Sequence, residues 1–323
     1  MADQPSNHHS KSSPRRRAAD LLSKHGVVVT ELAQMLLNCA PGERIERVQT
    51  YAERFDAGVG TVHAALGYLQ TSGAATLEAR GRLGAYISAL NYPLLWSLAL
   101  HRPIIGALPL PYSLRFMGLA TGVRAQFARF PLNLDLRFMR GASQRMQALA
   151  SHACDWALVS RFAAETAGAH GFAVITALAL GPATYMAGHV LLLRAEDAAG
   201  LLAGMRVGVD FQSADHVVAV RAATRGQQVE LVPIEYSEGL ELVSAGVIDA
   251  TVWSPEDIPD ALGLTQIPLD PDALPELAPL SEATLVINRD NRAIASLLTS
   301  VLAPEELMRI QHSVVHRTQP PLY

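Results

Sequence analysis

An α/β chain of two unlike parts is the fold this sequence predicts, on three observations. Residues 27–90 hold a run of short helices that ends in a basic, glycine-punctuated hairpin. From Ile104 onward, short apolar strands alternate with helical stretches, the pattern of α/β construction. The 323 residues are enough for a small domain and a larger one with its own core. Charge follows the same division. The formal net charge of −4 hides a basic head (Lys11, Arg15, Arg16, Arg17, Arg44, Arg47) on a body whose acidic residues gather at 249–260 and 270–282. Such an asymmetry suits DNA binding by the head alone.

Within the head, Pro41-Gly42 ends one helix, and a short helix over Val48 to Phe55 places Tyr51, Ala52 and Phe55 inward. Asp56-Ala57-Gly58 makes a turn. Thr61 to Gln70 then sets Val62, Ala65, Leu66 and Leu69 on one face, as a helix docked in a DNA groove and packed on its partner must. Gly73 stops that helix. Ala75 to Glu78 and Ala85 to Ile87 flank the hairpin Arg80-Gly81-Arg82-Leu83-Gly84 as a two-stranded wing. The order is that of a winged helix-turn-helix.

This stretch resembles the domain that opens GntR-type transcription regulators, at Pro41-Gly42-Glu43-Arg44, Thr61-Val62, Ala65-Leu66 and the wing glycines. Three positions that are commonly arginine in such domains are Gln49, Val59 and His63 here. Arginine is the strongest reader of guanine edges, so a different base readout is expected. Arg44, Arg47, Arg54, Arg80 and Arg82 keep the phosphate footprint that supplies most non-specific affinity. The candidate DNA-binding residues are Arg44, Arg47, Gln49, Thr61, His63, Arg80 and Arg82, with Thr61, His63 and Gln49 as base readers of a double-stranded operator.

Residues 1–26 read as a disordered basic tail. Its arginine triplet is not followed by an apolar run, so it is no export signal, and every apolar stretch is interrupted well short of a membrane span. The expected compartment is the cytoplasm. Cys39 and Cys154 lie far apart without ligand spacing, which excludes a disulfide framework and a zinc site and leaves packing as their role. Residues 91–102 form a connector, and Tyr92, Leu94, Leu95 and Trp96 make it apolar enough to dock.

The body reads as strand Ile104–Leu110, helix Leu114–Phe130, strand Leu134–Met139, helix Ser143–His152 and strand Ala157–Val159. A second group follows: strand Arg206–Asp210, helix Ala214–Thr224, strand Val229–Ile234, helix Ser237–Ala245 and strand Ala250–Trp253. Strand Thr284–Asn288 and one helical run, Arg292–His312, close the chain. This order, with the phrases GMRVGVDFQSADHV and YSEGLELVSAGVIDATVW, resembles a two-lobed, periplasmic-binding-protein-like domain of the second structural type. Lobe 1 would hold about 103–188 plus 284–323, and lobe 2 about 189–283. From Val27 to Tyr323 the chain is similar to the YhfZ-like regulators, most specifically at ALPLPYS, GLATGVRAQF, MRGA, VSRFAAE, LGPATYMAGH and SADHV. That resemblance implies a GntR-like winged helix fused to a binding-protein-like effector domain in a transcription regulator. It implies no particular effector.

Ligands of open α/β sheets sit at the carboxyl ends of strands. The polar groups expected there are Tyr112, Ser113, Arg140, Ser143, Ser160 and Arg161 in lobe 1, and Ser213, Asp215, Tyr236 and Trp253 in lobe 2. Helix N-termini with serine hydroxyls bind carboxylate or phosphate, and Arg140 or Arg161 would clamp it. A small anionic metabolite, an amino acid or another carboxylate, is the expected ligand. Other roles stand beside these: Ser213 and Ser237 as plain helix caps, Arg140 paired with a nearby carboxylate, Trp253 in the core, His189 and His216 as structural groups. The sequence has no GxSxG elbow, P-loop, HExxH or dinucleotide fingerprint, so no catalytic residue, metal or cofactor is assigned. The expectation is a cytoplasmic, homodimeric, ligand-responsive DNA-binding regulator and not an enzyme. The alternatives are an enzyme on the binding-protein-like fold with a regulatory winged helix, and a winged-helix scaffold for protein contacts.

Overall fold

The computed structural model describes residues 23–194 and 200–323. The expected tail lies outside the described residues up to position 22. Its last residues do not fit that expectation: the Ser23 hydroxyl caps a helix, α1 (Lys24–Leu36), by accepting from the Gly26 N–H at 3.2 Å. The chain divides into two compact units, one ending at His101 and the other beginning at Arg102.

In the first unit α1 buries Val28, Val29, Leu32, Ala33 and Leu36, one face at helical spacing. Helices α2 (Val48–Arg54) and α3 (Val59–Thr71) follow. The buried positions of α3 are Val62, Ala65, Leu66 and Leu69, the face its sequence spacing marks. Strands β1 (Ala75–Ala79) and β2 (Ala85–Leu90) pair antiparallel as the wing. Gly84 turns the hairpin at φ 94°, a conformation that L side chains rarely adopt. The segment before α2 joins the wing: Ile87 N–H donates to the Glu43 carbonyl at 2.9 Å, and Ile45 N–H to the Ala85 carbonyl at 3.0 Å.

Residues 91–101 belong to this unit and not to a free-standing connector. They form α4 (Tyr92–Ala99), capped by the Asn91 side chain, with Leu95 and Trp96 buried. The α4 carbonyls of Leu98 and Ala99 accept from Thr30 Oγ1 and Gln34 Nε2 of α1 at 3.2 and 3.0 Å. The expected docking occurs within the head itself.

The second unit holds two five-stranded sheets. In the first, order β4-β3-β5-β12-β6, the strands are β3 (Ile104–Leu108), β4 (Leu134–Phe138), β5 (Trp156–Ser160), β6 (Val174–Ala179) and β12 (Ala283–Asn288). Strand β3 pairs parallel with β4 and β5, and β12 runs antiparallel between β5 and β6. Order β11-β7-β10-β8-β9 makes the second sheet, from β7 (His189–Leu193), β8 (Arg206–Val209), β9 (Glu230–Pro233), β10 (Ala250–Trp253) and β11 (Thr265–Leu269). There β8 pairs parallel with β9 and β10, and β7 is the antiparallel insert. Both sheets therefore share one plan, three parallel strands followed by an antiparallel one contributed from across the lobe boundary. That is the plan of type 2 binding-protein-like domains.

Helices α5 (Leu114–Phe127), α6 (Ala142–Ala150) and α7 (Arg161–Thr166) belong to lobe 1, α8 (Ala214–Ala223) and α9 (Gly239–Ser244) to lobe 2. The closing run is two helices, α10 (Arg292–Val301) and α11 (Pro304–Val315), where one was expected. Pro304 is the cause: it holds Ala303 extended (φ −97°, ψ 114°) and suits only the first turn of a helix. Strands β6, β7 and β11 were not predicted by the sequence pattern.

Candidate functional site

A cavity of about 600 Å³ opens between the two lobes of the second unit. Three helices present their N-termini to it. At α5 the Ser113 hydroxyl accepts from Phe116 N–H at 3.2 Å, and at α8 the Ser213 hydroxyl accepts from His216 N–H at 3.3 Å. Helix α6 differs, because its N-cap is Gly141 and no side chain caps it. Its first-turn residues Ala142, Ser143 and Gln144 all line the cavity, so their backbone donors are left for a ligand.

One turn further along α6 lies Arg145, 2% exposed and also lining the cavity. Its Nε donates to the Leu158 carbonyl at 2.8 Å, its two terminal nitrogens to the Met139 carbonyl at 2.8 Å and to Tyr185 Oη at 2.9 Å. All three acceptors are neutral. Among the described residues no carboxylate pairs with this guanidinium. A buried cation without a counter-ion is costly, and a bound anion is what would offset it. Sequence reasoning missed Arg145; its signal is an arginine at the apolar spacing that Met146 and Leu149 continue.

The site residues expected from sequence are distributed as follows. Tyr112, Ser113, Arg140, Ser143, Ser213, Asp215 and Tyr236 line the cavity. Three do not. Ser160 is fully buried beneath it, capping α7 through Ala163 N–H and donating to Asp215 Oδ1 at 2.9 Å. Arg161 turns away, because Glu165 and Glu282 hold it at 3.0 and 2.9 Å. Trp253 stacks behind Tyr236 at 4.1 Å, inside the core of lobe 2. Arg140 takes the paired role: it bridges from lobe 1 to Asp210 of lobe 2 at 2.9 Å and also contacts Glu235. Arg115 of lobe 1 pairs likewise with Glu256.

Electrostatics sort the remaining polar groups. Burial pushes the Asp215 carboxyl up to about 6, against the Ser160 hydrogen bond and the charge of Arg145. Burial also raises Asp210, but the Arg140 hydrogen bond and the backbone donors of Gln212 and Tyr236 outweigh it and hold this carboxyl low. Burial takes His189 and His216 down to about 4, so both are neutral at pH 7. His216 is structural: Nδ1 accepts from Asp210 N–H at 2.9 Å, which leaves Nε2 to donate to the Val252 carbonyl at 3.1 Å. His189, 7% exposed, faces the cavity with no hydrogen-bond partner among the described residues. Cys154 is buried, and burial lifts its thiol to about 11, as a packing residue and not a nucleophile.

On the first unit, Arg44, Arg47, Gln49, His63, Arg80 and Arg82 are exposed and Thr61 is half-buried. Arg44 lies over Gly84 of the wing hairpin, which brings the strand before α2 and the wing together. Arg80 stacks on Tyr86 at 4.5 Å and pairs with Glu78 at 2.9 Å; Arg54 pairs with Glu46 at 2.8 Å. Gln49 donates to Glu53 at 3.2 Å. Among the described residues Arg44, Arg47 and Arg82 form no ion pair.

Comparison with known proteins places these two units. The YhfZ C-terminal domain matches residues 91–323, and a helix-turn-helix domain matches residues 40–87. The uncharacterized protein YhfZ of Escherichia coli (strain K12) is 34% identical over 304 residues, 94% of this chain and 98% of that protein. The chain belongs to the YhfZ family. The crystal structure of YhfZ from Shigella flexneri is similar at 33% identity and a TM-score of 0.59, covering 72% of this chain and 98% of that one. This YhfZ-family chain thus joins a helix-turn-helix head to a binding-protein-like body. Among its described residues no helix is long and apolar enough to cross a membrane.

Proposed function

We propose that this chain is a ligand-responsive transcription regulator that binds double-stranded operator DNA through its head and a small anionic metabolite in the interlobe cavity. The observation that carries the reading is the uncapped N-terminus of α6 beside the buried, counter-ion-free Arg145, both opening on one cavity. In the head, Arg44, Arg47 and Arg82 are unpaired cations for phosphates, and Thr61 and His63 stand at the start of the recognition helix α3. The protein acts in the cytoplasm as a homodimer, with two recognition helices about one DNA turn apart. Anion binding between the lobes favours their closure and changes operator affinity.

Two titrations test this. Fluorescence anisotropy of a duplex against the full-length protein is expected to show affinity falling steeply with salt. Three arginines on each of two protomers give a slope of about −5 in log K against log salt. Thermal shift against small carboxylates and phosphorylated metabolites is expected to show a hit that Arg145→Gln abolishes. A protein that ignores DNA at low salt is no DNA-binding regulator. A cavity that ignores every anion is no sensor of them.

A further inference from the structure

Anion binding leaves the opposite wall of the cavity unexplained. Asp215 stands in the first turn of α8, on lobe 2, and its carboxylate accepts one hydrogen bond, from the Ser160 hydroxyl at 2.9 Å. Among the described residues no cation pairs with it. The other cavity-lining cations are occupied: Arg140 by Asp210 and Glu235, Arg115 by Glu256. Arg145 is near enough for its charge to act on Asp215, yet its donors go to Leu158, Met139 and Tyr185. A second cavity carboxyl on lobe 2, Asp257, is likewise raised by burial, to about 6, with Glu256 adding to the rise. His189 and His216 are neutral at pH 7, so neither supplies nor repels a cation. One lobe thus offers a positive charge, and the other a negative one, with no oppositely charged hydrogen-bond partner among the described residues.

We propose that the cleft ligand carries both an acid and a protonated amine, the acid on the α6 N-terminus and Arg145 and the ammonium on Asp215. This deepens the reading above and rests on it, since the acid end is the anion already assigned. An ammonium at Asp215 gives that carboxylate the cation burial denies it, and His189 is an unpartnered polar group on the same cavity. A charged head does not fill a cavity of about 600 Å³, and Leu110, Phe116, Met186, Ala219 and Val252 line the rest. The ligand therefore bears an apolar body, as an apolar amino acid or a dipeptide of such residues does. Because the two charges sit on different lobes, a compound holding both ends binds the closed arrangement best.

The test is calorimetry on the full-length protein at pH 7.5 with three matched sets. These are apolar amino acids and their dipeptides, the same compounds without the amino group, and the same compounds without the acid. A parent compound is expected to bind, and loss of either group to weaken it at least tenfold. Asp215→Asn is expected to weaken the parent at least tenfold and to leave its deamino form within threefold. If the deamino acids bind as tightly as their parents, the ammonium assignment fails and the anion site stands. If the amines alone bind as tightly, the acid assignment fails and the anion reading fails with it. If all three sets are silent, the two-ended ligand fails and the anion reading is decided by the thermal-shift screen. The wild-type comparison decides the matter even if the variant does not fold.

Discussion

Asp215 costs the protein stability where it is charged. Its carboxyl is raised to about 6 in the folded state against 3.8 for the free side chain. A raised acid contributes stability below the unfolded value and loses it as pH climbs through the folded one. At pH 7.5 the ionised Asp215 therefore opposes folding, by up to about 3 kcal/mol at 1.36 kcal/mol per unit. Asp215→Asn keeps the contact with Ser160 and removes the charge, so it is expected to raise the melting temperature at pH 7.5. The gain is expected to vanish by pH 4, where the wild-type acid is neutral. Melting curves at the two pH values check this, and an equal loss at both would make Asp215 a purely structural group. His189 and His216 act in the opposite sense. Their values are depressed to about 4, so the stability they contribute above 6.5 is lost as pH falls toward 4. The acids and the imidazoles offset one another between pH 6 and 4, and the Asn variant is expected to show a steeper acid loss than wild type. Such a residue is kept against stability, as sites of function are. At this scale the sequence reveals Asp215 and Ser213 because both sit at the start of a patterned helix. Arg145 escapes it, since what makes the residue informative is burial without a counter-ion, and burial of a charged side chain is contrary to composition-based expectation.

Among the elements, α4 carries the clearest lesson about domain limits. The apolar residues at 91–102 are legible as a docking segment, but their partner is not, because sequence spacing marks a face and never names what covers it. The structure supplies the partner, α1, with Leu95 and Trp96 buried and two side-chain-to-carbonyl bonds closing the contact. Burying those two side chains contributes about 4–6 kcal/mol, comparable to the whole stability of a small domain. A fragment ending at His101 is therefore expected to melt cooperatively, and one ending at Leu90 to be largely unfolded at 37 °C. Circular dichroism melts compare them, and coincident transitions would show that α4 is dispensable. Most central strands and the helix α3 are legible because short apolar runs and 3.6-residue spacing record burial directly, but the central β7 is not, since a short run of leucines does not tell a strand from a helix. The edge strands β6 and β11 are not legible either: β11 contains Pro268, tolerated only where a ladder bond is not required, and β6 has no two-residue alternation, with Ile175, Thr176 and Ala179 exposed and no residue fully buried. Strand β3 shows the opposite limit, a close fit no pattern reveals. A Cβ on Gly106 would lie 2.1 Å from the ring of the fully buried Trp156, so Gly106→Ala is expected to cost about 3 kcal/mol or more, read from urea midpoints. A neutral Ala variant would mean the indole has room to shift.

Across the whole second unit, the two lobes are joined by polar contacts as well as by chain crossings. Arg140 reaches Asp210 and Glu235, Arg115 reaches Glu256, and Ser160 reaches Asp215, each from lobe 1 to lobe 2. These contacts tie the two lobes together beside the cavity, so their strength sets how readily the lobes part. Asp210 is 3% exposed and takes a charge-assisted hydrogen bond from Arg140, worth about 1.5–3 kcal/mol. Removing it shifts the opening equilibrium roughly ten- to hundredfold. Arg140→Ala is therefore expected to speed amide hydrogen exchange in the peptides spanning 139–146 and 209–217, with the head unaffected. A ligand that needs both lobes binds the variant more weakly, by at most the same factor, because less of the protein is closed before it arrives. Faster exchange with unchanged ligand affinity would mean that closure and binding are not linked. Unchanged exchange would mean that Arg115 and the hinge strands hold the lobes without Arg140. If closure also governs the head, duplex DNA changes ligand affinity by the factor with which ligand changes DNA affinity, since a coupling free energy is reciprocal.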